Sequence, residues 1–388
     1  MAYAKTDEFV QICIENDYNI KAICNELHKL YPAQDVRPYK VEQRIANCKR
    51  RGLLPLASGN SVDRGQVLRG TSTLYDSSGN IKQQWIKSDV DKADMLATFE
   101  AAVANIASTI VPIEATMPPS IVVSDLMTVY PIGDAHIGLL AHAPETGADS
   151  DLTIIEHNLV SAMTMLVAQA NPTETAYIVD LGDWYHSDNN ENRTAASGNA
   201  LDVDGRYHKV LEVGLRIAIK LVDLALTKHN TVYWRSSIGN HNTHSAIMMN
   251  LFIQAYYRNE PRVIVRNSPS MIDYFQFGKV LLGVTHGHTA KPDKLAQLMP
   301  VDCSDIWSST KFRYFLTGHV HHQSIKEYPT CIIETFRTIA HKDAWHAASG
   351  YRSGQDLQCI TYHKEYGEVA RNLVNLSQIP PLIKPTLN

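Results

Sequence analysis

Five short blocks of aspartate, asparagine and histidine residues restrict what this 388-residue chain can fold into. Each block directly follows an apolar run of strand length, so its polar side chains are expected at the end of a β-strand. Helical patterns over residues 151–170, 206–228, 243–258 and 290–299 separate the blocks. Alternating strands and helices predict an α/β domain with helices on both faces of its sheet, and such sheets bind ligands beyond their strand ends. The blocks are Ile132-Gly-Asp-Ala-His-Ile-Gly138, Leu181-Gly-Asp-Trp-Tyr-His186, Ile238-Gly-Asn-His-Asn242, Val284-Thr-His-Gly-His288 and Leu316-Thr-Gly-His-Val-His-His322.

The first block places a carboxylate and an imidazole two positions apart, at Asp134 and His136. In an extended strand, residues i and i+2 point to the same face, so the two side chains are predicted to lie side by side. Such a pair makes half of a metal site, and the later blocks supply further carboxylate, amide and imidazole groups. A single block of this kind is typical of a turn or of a surface histidine. Five of them in order, each at a strand end, favour one shared site.

The order of the blocks is Asp-x-His, Gly-Asp, Gly-Asn-His, His and Gly-His-x-His. It resembles that of the calcineurin-like metallophosphoesterases, over about residues 127–325. The resemblance implies an α/β fold in which two sheets form a sandwich flanked by helices. It also implies phosphate ester hydrolysis with two divalent metal ions and a bridging hydroxide that attacks phosphorus in line. Runs rich in β-formers at 324–328, 332–339, 357–363 and 368–374 are expected to complete the second sheet.

By this resemblance, Asp183 bridges the two metal ions, because each oxygen of a carboxylate can face one ion. Nitrogen and oxygen ligands without thiolate suit Mn²⁺, the metal that we expect, and also Fe, Ni²⁺ or Zn²⁺. The remaining ligands that the resemblance implies for the first ion are Asp134, His136 and His321. Those for the second ion are Asn240, His286 and His319.

Two further histidines are candidate catalytic residues. The resemblance implies that His241 faces the substrate and stabilises or protonates the leaving oxygen. The residue after it, usually acidic, is Asn242 here, whose amide can orient an imidazole but cannot raise its pKa through charge. His186 lies three positions after Asp183, in a run that resembles archaeal double-strand-break repair nucleases akin to SbcD, where this histidine helps act on the DNA phosphodiester. The alternative is that His186 holds a loop in place.

A long polar insertion, residues 187–206, follows the block that contains Asp183. A loop of this length beside a site is usually a substrate-binding loop or a disordered segment. Its Arg193 and Arg206 are therefore candidates to grip a phosphate group.

Residues 5–52 carry the pattern of three short helices, the last of which begins near Pro38. Three small helices with a basic last one resemble a helix-turn-helix module, in which the last helix enters the major groove of DNA. The alternative is a solvated basic helix that docks on its own protein. The third helix carries a single acid, Glu42, and the residues predicted to contact nucleic acid are Arg37, Lys40, Arg44, Lys49, Arg50 and Arg51.

These patterns divide the chain into four parts. We expect a helix-turn-helix-like domain at 1–56, a linker region with a β-hairpin and a helix at 57–120, the catalytic domain at 121–376 and an extended tail at 377–388. Within the linker region, residues 57–70 are rich in Gly and Ser, β-forming runs at 71–75 and 81–86 flank the turn of the hairpin, and 90–108 reads as helical. The N-terminal arrangement resembles that of phage-encoded phosphoesterase-like proteins.

Composition limits the class of partner and the compartment. A net charge of −4 provides no overall attraction to nucleic acid or acidic membranes, so a polyanion must be bound by a local basic patch. The chain has no apolar run of about 18–20 residues and no secretory signal, so no membrane partner is expected. Its six cysteines lack CxxC spacing and read as reduced thiols. We therefore expect a cytoplasmic protein, in a bacterial host cytoplasm if the chain is phage-encoded, and we make no prediction of its oligomeric state.

The preferred function is that of a metal-dependent DNA nuclease, since the basic third helix and His186 both favour it. The first alternative is a phosphatase or phosphodiesterase for a small molecule or a nucleotide, because fold alone does not define the substrate. The second is a non-catalytic DNA-binding protein with a relic site. Every ligand position is filled, which disfavours the relic.

Overall fold

The computed structural model describes residues 5–16, 18–32, 34–50, 53–54, 66–75, 81–90, 117–194 and 198–382. The chain divides into two compact units, Met1–Thr98 and Phe99–Asn388. The helix predicted over 90–108 lies outside the described residues, except for residue 90, which ends a strand. None of the helices in these described ranges is long and apolar enough to cross a membrane.

The first unit begins with the three predicted helices, α1 (Thr6–Glu15), α2 (Ile20–Leu30) and α3 (Pro38–Arg50). The side chain of Asn19 caps α2 by accepting a hydrogen bond from the backbone N–H of Ala22 at 3.1 Å. Apolar residues at helical spacing form one small core. Its most deeply buried members are Phe9, Cys13, Ile23, Leu27 and Val41.

A two-stranded antiparallel hairpin follows, with strands β1 (Gln66–Tyr75) and β2 (Ile81–Val90). Both strands are longer than predicted, and β1 takes up residues 66–70 of the expected linker. Val67 and Leu68 pair with Asp89 and Ser88 of β2, and a register shift follows before Gly70. Strand pairing with β2 therefore overrides the linker-like composition of this stretch.

The second unit contains a six-stranded sheet in the order β13-β12-β3-β4-β5-β6. Strands β3 to β6 are parallel, and β12 is antiparallel to both of its neighbours. The bounds are β3 Val123–Ile132, β4 Thr173–Asp180, β5 Thr231–Ser236, β6 Val263–Val265, β12 Asp356–His363 and β13 Gly367–Asn375.

A five-stranded sheet runs in the order β10-β11-β9-β8-β7, with β8, β9 and β11 parallel. Its strands are β7 Asp273–Phe277, β8 Val280–Thr285, β9 Phe312–Thr317, β10 Ser324–Glu327 and β11 Ile332–Thr335. The helices of this unit are α4 Ala143–Thr146, α5 Leu152–Gln169, α6 Tyr207–Leu226, α7 Ser245–Tyr256, α8 Pro292–Asp302 and α9 Ala344–Ala348, and a 3₁₀ turn covers Leu376–Gln378.

Three buried clusters show how the layers pack. Val129 of β3 and Val284 of β8 belong to one cluster, so the two sheets face each other as a sandwich. On the opposite face of β3, Tyr130 packs with helices α5 and α6. Leu281, next in β8 to the inward-facing Leu282, packs with α8 on the outer face of the smaller sheet. The predicted two-sheet sandwich flanked by helices is confirmed.

The predicted place of the last strands is only half right. Strands β10 and β11 join the smaller sheet as expected, and β11 ends at Thr335, short of the predicted 339. Strands β12 and β13 instead extend the larger sheet, where Ile360 pairs with Val129 of β3. Nearly all of β12 is buried, with residues on its two sides packing into different clusters. The pattern of a strand that is buried on both sides does not indicate which sheet it joins. Its hydrogen bonds to β3, which is distant in sequence, decide this.

Candidate metal centre

The five blocks meet where the parallel strands of both sheets end. The first and second blocks are joined by backbone hydrogen bonds, from His136 N to Asp183 O at 2.9 Å and from Ile137 N to Trp184 O at 2.8 Å. The fourth and fifth are joined by a bond from Gly318 N to His286 O at 3.0 Å. All seven predicted ligand residues are brought into two adjoining clusters, and their role as ligands stays a prediction.

The first cluster contains Asp134, His136 and His321. His321 Nε2 lies 3.3 Å from Asp134 Oδ1 and 3.1 Å from His136 Nε2. Asp134 also accepts hydrogen bonds from the backbone N–H of His319, at 3.0 Å to Oδ1 and 2.8 Å to Oδ2. Asp134 comes from the larger sheet and His319 from the smaller one, so this carboxylate ties the two sheets together at the site.

The second cluster contains Asp183, His286 and His319, with Asn240 beside them. His286 Nε2 lies 3.0 Å from Asp183 Oδ2 and 2.9 Å from Asn240 Oδ1. The other ring nitrogen, Nδ1, donates to the carbonyl of Leu181 at 3.0 Å. This partition of the seven residues is the one that the family resemblance implies for two ions.

Asp134 and His136 do not lie in an extended strand, so the geometric reason given for their pairing is wrong. Both have a backbone φ in the left-handed region, which non-glycine residues seldom adopt. Strained backbone of this kind is typical of functional sites, because the surrounding hydrogen bonds must hold it. Five predicted ligands share it, namely Asp134 (φ 46°), His136 (45°), Asp183 (55°), His319 (74°) and His321 (57°).

Two glycines allow the blocks to come this close. Gly182 has a φ of 101°, and a Cβ there would lie 2.7 Å from His286 Nδ1. A Cβ at Gly239 would overlap Asp183 Oδ1 and its backbone nitrogen. Only glycine fits at either position without moving a predicted ligand.

The donor set fits divalent cations. Because His286 Nδ1 donates to Leu181, a neutral ring presents the lone pair of Nε2 to two oxygens that also carry lone pairs. Only a proton or a metal ion can occupy the space between them. Burial opposes charge on His286, but the Asp183 carboxylate raises the pKa of His286 to about 9. The nitrogen and oxygen ligands suit first-row divalent metals.

His241 and His186 lie beside these clusters in different settings. The backbone N–H of His241 donates to Asp183 Oδ1 at 2.8 Å, and its Nδ1 donates to the carbonyl of His186 at 2.8 Å. His241 lines the cavity over the clusters, whereas His186 is fully buried and does not line it. His186 Nδ1 lies 3.1 Å from His136 Nδ1, so the geometry favours the alternative in which His186 holds its neighbours in place.

His136, His186 and His241 form a third group whose nitrogens lie within 4.8 Å of one another. Burial, and then the nearby His241, lower the pKa of His186 to about 3. Its Nε2 has no hydrogen-bond partner among the described residues. Burial also lowers the pKa of His136 well below its usual value, so His136 and His186 are kept neutral, as metal ligation by imidazole requires.

Asn242 does not orient the His241 ring. Its buried Oδ1 accepts hydrogen bonds from the backbone N–H groups of Asp183 and Gly239, each at 3.0 Å. Asn242 therefore ties the Gly-Asn-His block to the Gly-Asp block, and the His186 carbonyl sets the ring of His241. The arginines of the polar insertion do not reach the cavity either. Arg193 donates to the carbonyl of Gly198 at 2.8 Å, and Arg206 immediately precedes α6.

Three aspartates with defined roles were not predicted. Asp180 ends β4, where burial raises its pKa to about 7 and it accepts hydrogen bonds from Ser236 Oγ at 2.6 Å and Gly182 N at 3.0 Å. Asp188 caps α7 from another loop by accepting from Ser245 N at 3.0 Å. Asp343 caps α9. The sequence signal for this role was an aspartate at a helix start, three residues before His346.

A cavity of about 340 Å³ opens over both clusters. His136, Asp183, His319 and His321 contribute to its floor. The insertion contributes Thr194 and residues 199–201 to the lining, and another part of the lining consists of Trp345, His346 and Tyr351, which we call the aromatic wall. The two-sheet sandwich and the order of the site residues resemble those of the calcineurin-like metallophosphoesterases.

No protein-family model and no curated protein matches the chain. Solved structures similar to it include a predicted phosphoesterase from Streptococcus pneumoniae, with 10% identity over 65% of this chain and 99% of that chain and a TM-score of 0.29. An archaeal phosphodiesterase shows 11% identity over 64% and 99%, with a TM-score of 0.32. The NAD nucleotidase of Haemophilus influenzae shows 10% identity over 64% and 50%, with a TM-score of 0.34.

Proposed function

We propose that the protein is a metal-dependent phosphodiesterase that hydrolyses DNA. The observation that carries this proposal is the convergence of both ligand clusters at the floor of one cavity, with His241 beside them. Bound at these clusters, two divalent ions would neutralise phosphoryl oxygens and activate water.

The residues around the clusters hold the reacting groups in place. Asp183 is fixed by the backbone N–H of His241, and His286 by the carbonyl of Leu181. The Nδ1 of His241 is committed to the His186 carbonyl, so Nε2 is the nitrogen that remains for a substrate oxygen. When protonated, Nε2 can donate to the leaving oxygen of a phosphodiester.

The DNA part of the proposal depends on the first unit, whose basic side chains already have protein partners. Arg37 and Lys40 pair with Asp35 at 2.8 Å and 3.0 Å. These pairs are solvent-exposed and therefore weak, so a DNA phosphate can replace Asp35 at little cost.

Two further basic residues of α3 pack on aromatic rings, Arg44 with Cζ 4.2 Å from the ring centre of Phe9 and Lys49 with Nζ 5.3 Å from that of Tyr18. The side chain of Arg50 and all of Arg51 lie outside the described residues. The second candidate function, a phosphodiesterase for free nucleotides, is favoured by these engaged basic side chains. A cavity of about 340 Å³ also lies within the range of small-ligand sites.

A charge-matched set of variants tests the DNA proposal. Arg37→Gln with Lys40→Gln should weaken duplex DNA binding and flatten its salt dependence by about 0.9 for each phosphate that is no longer neutralised. Asp35→Asn should strengthen binding, because it frees the same two cations from their competitor. Gel-shift titrations at two salt concentrations measure both effects.

Hydrolysis of bis-p-nitrophenyl phosphate with Mn²⁺ serves as the control, and it should be unchanged in these variants. If neither variant alters DNA affinity, the three helices serve another purpose and the free-nucleotide function takes first place. If the protein hydrolyses no diester in the presence of a divalent metal, the enzymatic proposal itself is overturned.

A further inference from the structure

We infer that the aromatic wall binds the base of an unpaired nucleoside attached to the scissile phosphate. This inference rests on the proposed phosphodiesterase function and narrows its substrate class. The nucleoside can belong to a free nucleotide or to an unpaired strand end, and the chemistry of recognition is the same.

The wall is held in a defined position. Asp343 is buried, and its Oδ1 accepts hydrogen bonds from both the backbone N–H and the Nδ1–H of His346, each at 2.7 Å. These two bonds fix the start of α9 and the plane of the His346 ring together. A wall ordered before binding costs less entropy when a ligand binds.

The wall is continuous with the first cluster. The His346 ring stacks on that of His321, with centroids 4.8 Å apart and planes at 17°. Tyr351 meets His346 edge to face at 4.9 Å and 83°, and Trp345 lies 5.8 Å from Tyr351. A group bound against this wall therefore lies next to a phosphate held over the clusters.

Trp345 is the feature that calls for an aromatic ligand. Trp345 lines the cavity and is 60% exposed, although an indole carries a large apolar surface that is normally buried. A flat ring stacked on it regains that burial, and every nucleobase has such a face. The insertion lines the same cavity with Thr194, Asn199, Ala200 and Leu201, of which only Leu201 has a large apolar side chain.

The size of the cavity favours one nucleoside. At about 340 Å³, it lies near the lower limit of small-ligand pockets, roughly 300–1,000 Å³. A base within a duplex already stacks on its neighbours and would have to leave the helix to reach Trp345. Unpaired nucleotides avoid that cost.

Two diesters with the same leaving group test the inference. Thymidine 5′-(p-nitrophenyl phosphate) carries a base, and methyl p-nitrophenyl phosphate does not. Trp345→Ala should raise KM for the nucleoside diester by roughly 5- to 150-fold, the range for loss of one base–aromatic stack, with little change in kcat. Hydrolysis of the methyl diester should be unaffected, and Trp345→Phe should retain most of the nucleoside preference.

Tyr366→Ala is the matched control, because it removes an aromatic ring that is 69% exposed and does not line the cavity. It should leave both diesters unchanged. A binding measurement independent of turnover is the quenching of tryptophan fluorescence by thymidine 5′-monophosphate. Saturable quenching should disappear in Trp345→Phe, while inhibition by the mononucleotide persists.

Competition experiments identify the source of the nucleoside. Inhibition by thymidine 5′-monophosphate but not by single-stranded oligothymidylate supports a free nucleotide, and inhibition by the single strand supports a strand end. Equal inhibition by a duplex of the same length would overturn the inference.

Two further results would also contradict it. Equal losses on both diesters in Trp345→Ala would mean that the wall only supports His321. A wild-type enzyme that hydrolyses both diesters equally well would refute the base site but leave the phosphodiesterase standing. Failure to hydrolyse either diester would remove both proposals together.

Discussion

The two ligand clusters differ in how their side chains are held. In the second, His286 is fixed by the Leu181 carbonyl at 3.0 Å, and Asp183 by the backbone N–H of His241 at 2.8 Å. In the first, both ring nitrogens of His136 face other histidine nitrogens, Nε2 towards His321 and Nδ1 towards His186, each at 3.1 Å. Among the described residues, no carbonyl or carboxylate fixes which nitrogen of His136 carries its proton.

This difference affects metal binding, because a hydrogen bond to the outer nitrogen of a ligating histidine sets its tautomer and orientation. The second cluster is ordered by the fold before any ion binds. In the first cluster, the positions of the ring protons of His136, His186 and His321 depend on one another. Burial, and then the neighbouring histidines, lower the pKa of His136 well below its usual value. We expect the second cluster to bind its ion more tightly than the first.

The largest effect should come from Asp183→Asn, which removes the predicted bridging ligand. Hydrolysis of bis-p-nitrophenyl phosphate with Mn²⁺ should fall by more than about 100-fold, since even an outer-shell partner is worth roughly 10- to 100-fold. Asp134→Asn should mainly affect the first ion. The control is Asp188→Asn, which removes a carboxylate that caps α7 instead of lining the cavity. Near-normal activity in Asp183→Asn would contradict the shared-ligand arrangement.

Next in size is an asymmetry in metal retention. Metal analysis of protein loaded with Mn²⁺ should find about two ions per chain, and EDTA should abolish hydrolysis. Stepwise chelation of the wild type should release the ion of the first cluster before that of the second. His286→Ala should lack the ion that the wild type releases last, and His321→Ala should lack the ion that it releases first. Simultaneous loss of both ions from either variant would erase the distinction between the clusters.

A smaller effect separates the two catalytic candidates. His186→Ala should weaken the first ion by about 10- to 100-fold, because His186 contacts the outer nitrogen of His136. His241→Ala should leave metal content unchanged and lower turnover more on DNA than on a p-nitrophenyl ester, whose leaving group departs without a proton. Metal analysis beside both assays checks this. Unchanged metal affinity in His186→Ala would restore His186 as a substrate-facing residue.

The smallest effect concerns stability beneath the second cluster. Burial raises the pKa of Asp180 from the ordinary 3.8 to about 7, so the folded metal-free chain holds this proton more tightly than the unfolded chain. The stabilisation is complete below pH 3.8 and is lost as the pH rises through about 7. Asp180→Asn keeps an acceptor for Gly182 N–H and removes the titration. Urea unfolding in EDTA should show the free energy of unfolding of the variant rising relative to that of wild type between about pH 4 and 7, and parallel pH profiles would rule this out.

The sequence by itself determined which residues assemble. Each block follows an apolar run of strand length, and parallel strands of one sheet end at a common edge, so Asp134 and Asp183 were expected to meet. His286 follows β8 of the other sheet, and its place beside Asp183 was implied by the resemblance. The alternation of strands and helices predicted an α/β domain with flanking helices, and the resemblance to the calcineurin-like metallophosphoesterases implied the two-sheet sandwich. Periodicity identifies the faces of a strand that are buried, and for the α/β class that was enough.

Only the tertiary structure decided how the residues meet. The left-handed backbone at Asp134 and the role of Asn242 depend on hydrogen bonds between distant segments, such as the one from His319 to Asp134 across 185 residues. The place of β12 beside β3 and the approach of Trp345 to the cavity depend on strand order and loop packing. Periodicity records which side of an element is buried but not which neighbour covers it, and that choice is made only when the chain closes on itself.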